Sequence, residues 1–248
     1  MKKPEHNYSV IIQARMGSTR LPGKILKPLS DKPMLLHVYE RLHKSININQ
    51  IIIATTDLAE DDIVENFCVQ NNIKCFRGSS DDVLSRYYYA SLQYSCEVII
   101  RITADCPLID PKIIDAMIFD FDNYFDEIDY LSNTLKRSFP RGLDTEIFKF
   151  GSLETSFNKS SLRSEREHVT PYIYNNPDTF RLKNFLNEVD LSAHRWTVDT
   201  IEDFNLVEII YNKLFNNSSI FLMNDILQLF NHNPLLFDIN KSVEQKKE

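Results

Sequence analysis

Short apolar runs alternate with amphipathic stretches through the first half of the chain. The runs are short enough for buried strands, whereas the stretches between them space their apolar residues as amphipathic helices do. The predicted strands are YSVIIQA (8–14), QIIIAT (50–55), KCFRG (74–78) and EVIIRIT (97–103), and the predicted helices lie within 33–45, 57–72 and 81–95. This alternation predicts an α/β fold with a mostly parallel sheet, right-handed crossovers and helices on both faces. Such sheets bind ligands at the carboxyl ends of their strands.

The second half of the chain follows a less regular pattern. Strands are predicted at 129–133, 144–150, 179–186 and 195–200, a partly helical stretch at 164–176, and two helices near 202–215 and 220–231. No long linker, repeat or low-complexity stretch separates the two halves. We therefore expect one domain over 1–238 with an irregular α+β second half. The charged segment 239–248 lacks apolar anchors and is expected to be a flexible tail.

Net charge and apolar content narrow the possible partners. The formal charge of −7 at pH 7 argues against nucleic acid and against an anionic membrane surface, since both require an excess of Lys and Arg. No apolar run has the length of a signal peptide or a membrane span. The 4 cysteines form no CxxC pair and lie in apolar segments, which indicates reduced, buried thiols. We expect a cytoplasmic protein that binds any anionic ligand locally.

The loop after the first predicted strand combines cations with glycine. Within IIQARMGSTRLPGK (11–24), Gly17 and Gly23 are two of only 5 glycines in the chain, and they stand close to Arg15 and Lys24. A phosphate-binding P-loop is excluded, because five residues instead of four separate Gly17 from Gly23 and because Ile, not Ser or Thr, follows Lys24. The GxGxxG dinucleotide motif is also absent. This combination of cations and glycine predicts an anion-binding loop. The alternative is a tight surface turn with solvated arginines.

Several blocks of sequence, in order along the chain, carry a family resemblance. They are QARMGSTRLPGKILKPLSDKPMLLHVYERL (13–42), FRGSSDDVLSRYYYA (76–90), RITADCPLIDP (101–111), FPRGLDTEIF (139–148), EREHVTPYIY (165–174) and RWTVDTIEDF (195–204). The chain resembles cytidylyltransferases similar to the spore-coat polysaccharide enzyme, which are relatives of the acylneuraminate and 3-deoxy-manno-octulosonate cytidylyltransferases. The resemblance implies a Rossmann-like sheet of the nucleotide-diphospho-sugar transferase type and transfer of CMP from CTP with release of pyrophosphate. It also implies a homodimer that pairs through the irregular second half.

Within this resemblance, the first loop is expected to bind the nucleotide. Arg15 and Lys24 suit catalysis, because an arginine can bind two phosphate oxygens and a lysine supplies a compact charge. Backbone N–H groups at Gly17 and Ser18 add further donors. The remaining expected nucleotide contacts are Ala14, Thr103, Ala104, Arg77, Asp82 and Arg86. Asp82 is equally suited to capping the following helix, and Arg86 is equally suited to the solvated face of that helix.

Two aspartates far apart in sequence predict a metal site. Asp105 follows the predicted strand at 97–103, and Asp199 lies at the end of the one at 195–200, so both carboxylates are expected at the ligand edge of the sheet. One or two carboxylates suffice for Mg²⁺, since water and phosphate oxygens complete its coordination. The alternatives are helix-cap or turn roles for each aspartate. Within the family blocks we expect both to bind Mg²⁺.

Arginines are concentrated in the second half of this acidic chain, which predicts an anionic acceptor. The alternative is a solvated helix surface on which arginines and glutamates alternate and pair with one another. The expected acceptor-binding residues are Arg141, Asp144, His168 and Arg195. A phosphorylated acceptor is already ionised at neutral pH, whereas a sugar hydroxyl requires deprotonation, for which His168 is the candidate base.

The resulting hypothesis is transfer of CMP from CTP to a phosphorylated small molecule or an ulosonic acid, for surface polysaccharide or capsule synthesis. Two alternatives stay open. Guanylyl or uridylyl transfer to a sugar phosphate would keep the fold and change the base. A non-catalytic nucleotide-binding subunit would bind CTP without releasing pyrophosphate.

Overall fold

The computed structural model describes residues 3–216 and 219–245, and its centre is a seven-stranded sheet. The strands of this sheet are β1 (Tyr8–Gln13), β4 (Gln50–Thr56), β5 (Lys74–Gly78), β6 (Val98–Thr103), β7 (Tyr130–Ser132), β8 (Glu146–Lys149) and β9 (Leu182–Asn184). A separate two-stranded hairpin consists of β2 (Pro28–Leu29) and β3 (Lys32–Pro33).

Helices connect and cover these strands. The α-helices are α1 (Met34–Leu42), α2 (Asp62–Gln70), α3 (Val83–Gln93), α4 (Pro111–Asn123), α5 (Phe150–Lys159), α6 (Arg163–His168), α7 (Pro171–Tyr174), α8 (Ile201–Leu214) and α9 (Met223–His232). Short 3-10 helices lie at Lys24–Leu26, Ala59–Asp61 and Pro234–Asp238.

The strand order is β5-β4-β1-β6-β8-β7-β9, with β1 between β4 and β6. The pairings among β5, β4, β1 and β6 are all parallel. Beyond β6 the sheet is mixed, because β8 runs antiparallel to both β6 and β7 while β9 is parallel to β7. The predicted α/β fold, with a mostly parallel sheet and a less regular second half, is confirmed.

Two apolar cores cover opposite faces of the sheet. In β1, the side chains of Val10 and Ile12 enter one core and that of Ile11 enters the other, as the two-residue period of a strand requires. The larger core includes residues of α1, α4, α8 and α9, and the smaller core includes residues of α3, α5 and α7. A parallel strand covered on both faces has consecutive apolar residues, which explains the apolar runs at 10–12 in β1 and 51–54 in β4.

Residues 195–200 differ from the prediction, because they form a loop rather than a strand. Their one pairing is an isolated bridge between Arg141 and Arg195. The loop is fixed instead by two backbone bonds to different segments, from Trp196 N to Arg141 O (2.7 Å) and from Val198 N to Asp105 O (2.8 Å). These bonds bring the loop to the carboxyl end of β6.

Gly142 permits this approach. Its φ of +100° lies in the region that favours glycine, and a Cβ there would stand 2.6 Å from the backbone nitrogen of Thr197. The loop at 141–142 and the loop at 195–200 can therefore touch only because residue 142 has no side chain.

Two expectations from composition also have structural outcomes. Cys68, Cys75, Cys96 and Cys106 are free thiols, of which Cys75 is half-buried and the others are buried. Among the helices in the described ranges, none combines the length and the apolar character needed to cross a membrane.

Replacing Gly142 by Ala is expected to destabilise the protein, since the variant adds backbone strain and a clash with the 195–200 loop. We expect the free energy of unfolding in urea to fall by about 2 kcal/mol or more. Gly151→Ala is the matched control, because no atom lies within 4 Å of its added Cβ and the position is in α5. That control is expected to leave stability unchanged or raise it by up to about 1 kcal/mol. Equal stability of Gly142→Ala and the unmodified protein would contradict the close approach.

Candidate active site

Lys24 stands at the centre of the candidate site. It begins the 3-10 helix after the first loop, and its side chain is only 10% exposed. Its ammonium donates to Asp105 Oδ2 at 3.1 Å, to Asp199 Oδ1 at 2.9 Å and to the carbonyl oxygen of Val198 at 2.7 Å. Three segments that are distant in sequence therefore meet on one nitrogen atom.

The loop that presents Lys24 closes on a single carbonyl. The N–H groups of Ser18 and Gly23 both donate to Met16 O, at 2.9 and 3.1 Å. Gly23 has a φ of +68°, which turns the chain into the 3-10 helix at a conformation that glycine adopts without strain. A closed loop of this kind turns its backbone and its cations toward the end of β1.

Each of the two aspartates has further contacts that orient it. Asp105 Oδ1 accepts from the Thr103 hydroxyl at 2.5 Å, which leaves Oδ2 facing Lys24. Asp199 Oδ2 accepts from Arg20 Nη2 at 3.0 Å and from Arg195 Nη2 at 2.8 Å. The Asp199 carboxylate is therefore surrounded by cations.

This arrangement shifts the proton affinities of the buried groups. Burial acts to lower the pKa of Lys24, but Asp105 and Asp199 outweigh it and hold that pKa above its ordinary value. Burial acts to raise the pKa of Asp199, but Lys24, Arg20 and Arg195 outweigh it and hold that pKa below its ordinary value. Both groups are accordingly charged at neutral pH.

Neither aspartate is used as a helix cap. The N-cap of α8 is Thr200, whose hydroxyl accepts from Asp203 N, and the N-cap of α4 is Asp110. The capping alternatives therefore do not explain Asp105 or Asp199. Their carboxylates are oxygen donors of the type that Mg²⁺ prefers, and they lie close together, each within hydrogen-bond distance of the Lys24 ammonium. The donor set therefore fits a magnesium site completed by water and phosphate oxygens. The described ranges contain no group of three or more His, Cys, Asp or Glu that could hold a metal ion.

A cavity of about 260 Å³ lies beside Lys24 at the ends of β1 and β6. Its lining contains most of the residues predicted for the nucleotide and both predicted metal ligands, namely Arg15, Gly17, Ser18, Lys24, Thr103, Ala104, Asp105 and Asp199, together with Gln13, Thr19, Arg20 and Ile25. Ala14 lies behind this cavity, where its backbone N–H donates to Ala54 O and its side chain is buried in the core. We call this space the nucleotide cavity, after the ligand that the sequence predicts for it.

Two further cavities, of about 360 and 790 Å³, continue the cleft toward the second half of the chain. Both are lined by Arg101, Arg141, Asp144, Glu146, His168 and Gln245. The smaller of the two also shares Arg20, Thr103, Asp105 and Asp199 with the nucleotide cavity. We call the two together the acceptor cavity, after the predicted acceptor residues Arg141, Asp144 and His168 that line both of them.

Arg195 differs from the expectation for an acceptor ligand. It lines neither part of the acceptor cavity, and its side chain is 9% exposed. Its guanidinium donates to Asp203 Oδ1 at 2.9 Å as well as to Asp199, so the structure gives it a role in positioning Asp199.

Arg77 and Asp82 also lie outside the cavities, because each has partners in the fold. Arg77 donates to the carbonyl oxygens of Thr56 and Leu58, both at 2.9 Å, and thereby fixes the loop after β4. Asp82 caps α3 by accepting from Ser85 N at 2.9 Å and forms an ion pair with Arg166.

Arg86 is buried, with its side chain against Gly78 at the end of β5, rather than on the solvated face of α3. It is 1% exposed, and its guanidinium nitrogens have no hydrogen-bond partner among the described residues. Burial lowers its pKa, and the nearby charge of Arg15 lowers it further. It lines neither the nucleotide cavity nor the acceptor cavity.

The model of one protein family, described as cytidylyltransferase, matches residues 9–246. The chain belongs to the cytidylyltransferase family. The family resemblance read from the sequence blocks is therefore confirmed.

Relatives of this cytidylyltransferase support the assignment over nearly its whole length. It is 34% identical over 232 residues to the spore coat polysaccharide biosynthesis protein SpsF of Bacillus subtilis, covering 90% of this chain and 94% of that protein. It is 38% identical over 242 residues to an uncharacterized protein of Methanocaldococcus jannaschii, covering 95% of each.

Solved structures agree with this result. A cytidylyltransferase from Leptospira borgpetersenii superposes with a TM-score of 0.90 at 36% identity, covering 98% of this chain and 100% of that one. A CMP:2-keto-3-deoxy-manno-octonic acid synthetase complexed with CTP superposes with a TM-score of 0.65 at 17% identity, covering 84% and 100%, which shows a shared fold.

The sequence analysis missed two charged residues of the cytidylyltransferase cleft, Arg101 and Glu146. They lie opposite each other on the antiparallel strands β6 and β8 and form an ion pair at the floor of the acceptor cavity. A signal was present, since Arg101 interrupts an otherwise apolar strand and a buried charge requires a partner. The partner could not be identified without the strand pairing.

Asp199→Asn tests the ion pairing through the pH dependence of stability. Because the pKa of Asp199 is held below its ordinary value of 3.8, its ionised form stabilises the folded state above that pH. The stabilisation is lost as the pH falls through the lowered pKa. We expect the variant to be less stable by about 1–3 kcal/mol at pH 7, and the difference to shrink near pH 3.

Urea unfolding of the protein without metal or nucleotide, between pH 7 and pH 3, measures this difference. Asp178→Asn, at an exposed turn position, is the control. A loss of stability in Asp199→Asn that is the same at every pH would contradict the pairing.

Proposed function

We propose that this cytidylyltransferase transfers CMP from CTP to an anionic acceptor, with release of pyrophosphate, for surface polysaccharide or capsule synthesis. The observation that carries the proposal is the junction of the two cavities. Arg20, Thr103, Asp105 and Asp199 line both the nucleotide cavity and the adjoining part of the acceptor cavity. Two substrates bound side by side would meet at these residues.

The reaction requires alignment and charge neutralisation. An acceptor oxygen forms a bond to the α-phosphorus of CTP, and the bond from that phosphorus to the bridging oxygen breaks, so pyrophosphate leaves. Both reactants are anions, and cations fixed around them lower the barrier because they need no reorganisation during the reaction. Arg15 and Lys24 supply these cations, and N–H groups near Gly17 and Ser18 supply further donors. No covalent intermediate on the protein is needed.

Mg²⁺ is the proposed cofactor, supported by the pair of aspartates that face Lys24. Asp105 and Asp199 would hold the ion, which would neutralise charge on the phosphates of the nucleotide and of the leaving pyrophosphate.

CTP is the proposed donor because the chain belongs to the cytidylyltransferase family. A contact of Arg86 with the base side of the nucleotide stays a prediction, because its buried guanidinium lines neither cavity.

An anionic acceptor is supported by the charges of the acceptor cavity. Arg101, Arg137, Arg141 and His168 line its larger part, where Glu146 and Asp144 form ion pairs with Arg101 and Arg137. A phosphorylated acceptor would react without a base, since its second pKa is about 6. For an ulosonic acid, His168 is the candidate base for the reacting hydroxyl.

A homodimer that pairs through the second half of the chain is also proposed. It rests on the family resemblance, and it is supported by apolar side chains that are exposed in this half, which include Leu186 and Val189 at 53% and 63% exposure.

A screen of pyrophosphate release tests the proposed reaction. The protein is incubated with Mg²⁺ and with CTP, GTP or UTP, against a panel of glucose 1-phosphate, glycerol 3-phosphate, O-phosphoserine and 3-deoxy-manno-octulosonate. We expect release with CTP and at least one acceptor, and much less with GTP or UTP. A preference for GTP or UTP would support the nucleotide-swap alternative. Binding of CTP without release for any acceptor would support a non-catalytic subunit.

Lys24→Met is expected to lower kcat/KM by about 10²–10³, because it removes the cation between the two carboxylates and beside the phosphates. Lys44→Met, at an exposed position near the end of α1, is the matched control. Thermal unfolding of both variants shows whether the protein stays folded. Unchanged turnover by folded Lys24→Met would remove this residue from the mechanism.

A further inference from the structure

The C-terminal segment, residues 239–245 in the described range, is attached to the site rather than extending away from it. Asn240 is 5% exposed, and its side-chain amide donates to Asp203 Oδ1 at 2.8 Å and to Arg195 O at 3.0 Å. A turn follows, in which Val243 N donates to Asn240 O at 3.0 Å. The flexibility predicted for 239–248 stays a prediction, and 246–248 lie outside the described residues.

The end of this segment contacts the two arginines that hold Asp199. Arg195 Nη1 donates to Gln245 Oε1 at 2.5 Å, and Arg20 Nη1 donates to Glu244 O at 3.4 Å. The Nη2 atoms of the same arginines bind Asp199 Oδ2. Each arginine therefore links the C-terminal segment to the proposed metal ligand.

The hydrogen bond from Arg195 also fixes which way the Gln245 amide faces. A guanidinium has donors and no acceptor, so the atom that faces Arg195 must be the amide oxygen. The amide nitrogen, with its two donors, is consequently on the other side of the group. Gln245 lines both parts of the acceptor cavity.

We propose that Gln245 is an acceptor-binding residue, whose amide donates to the anionic group of the acceptor while Arg195 fixes its orientation. The proposal rests on the proposed function for the identity of the acceptor cavity. It makes Gln245, which the C-terminal segment contributes to the lining of that cavity, a determinant of acceptor specificity, and the turn at Asn240 anchors the segment.

Gln245→Glu gives the sharpest test. A glutamate keeps an oxygen toward Arg195, but it replaces the amide donors by an acceptor and adds a negative charge that repels an anion. Lys241→Gln is the matched control, because it changes the net charge of the chain by the same amount, in the same segment, at an exposed side chain. If Gln245 only supports the fold, Gln245→Glu should keep the acceptor affinity of the unmodified protein. If Gln245 binds the acceptor, that affinity should fall.

The first measurement is the kinetics of pyrophosphate release with CTP and each compound of the acceptor panel that the unmodified protein uses. For Gln245→Glu we expect the KM of the acceptor to rise by about tenfold or more. The KM of CTP should stay within about twofold, because Gln245 does not line the nucleotide cavity. Lys241→Gln should leave both constants unchanged. An unchanged acceptor KM in Gln245→Glu, or an equal rise in the KM of CTP, would overturn the proposal.

A second measurement does not depend on turnover. Inorganic phosphate is titrated by calorimetry into each protein in the presence of saturating CTP, and we expect its affinity to be several-fold weaker in Gln245→Glu than in Lys241→Gln. Equal affinities, or no phosphate binding by the unmodified protein, would overturn the proposal. If CTP and phosphate bind but pyrophosphate is released with no compound of the panel, the proposed function fails. The difference in phosphate affinity between Gln245→Glu and Lys241→Gln then still tests the role of Gln245.

Discussion

The site depends on a single buried ammonium, that of Lys24, which binds Asp105 and Asp199 at once. A lysine that is 10% exposed is stable in its charged form only if nearby carboxylates compensate for the lost hydration. The requirement acts in the other direction too, because two carboxylates brought close together repel each other unless a cation lies between them. The first loop, the end of β6 and the loop before α8 are therefore fixed relative to one another by charge.

The two aspartates that Lys24 binds also mark the division of the cleft, because they line both the nucleotide cavity and the acceptor cavity. On one side, the nucleotide cavity is built from the ends of parallel strands and from a glycine-containing loop. On the other side, the acceptor cavity is built from the mixed part of the sheet, where Arg101 and Glu146 pair across β6 and β8. Under the proposed function, the regular half of the sheet binds the nucleotide and the less regular half binds the acceptor.

The sequence allowed the regular half to be predicted because local patterns determine it. The position of Asp105 followed from its place after a buried parallel strand. Asp199 does lie beside Asp105, but the strand expected to bring it there is a loop held by Val198 N and by the close approach at Gly142. Long-range contacts of this kind leave no periodic signal. The role of Arg77 is hard to predict for a related reason, since a polar residue at a strand end can serve the fold as well as a ligand, and Arg77 donates to the carbonyl oxygen of Thr56. The C-terminal segment was predicted to be a flexible tail because it lacks apolar anchors. In the described part of that segment, a polar side chain, Asn240, donates a hydrogen bond to Asp203.

We propose that CTP binds with its phosphates on the loop that carries Lys24 and that a divalent ion contacts the carboxylates of Asp105 and Asp199, which also bind Lys24. A crystal structure with CTP and Mn²⁺ tests it most directly, because the anomalous signal of manganese locates the ion independently of the ligand density. We expect one strong anomalous peak in contact with the carboxylates of Asp105 and Asp199, and the triphosphate against residues 15–24. A manganese peak elsewhere, or a triphosphate bound away from Lys24, would contradict the account.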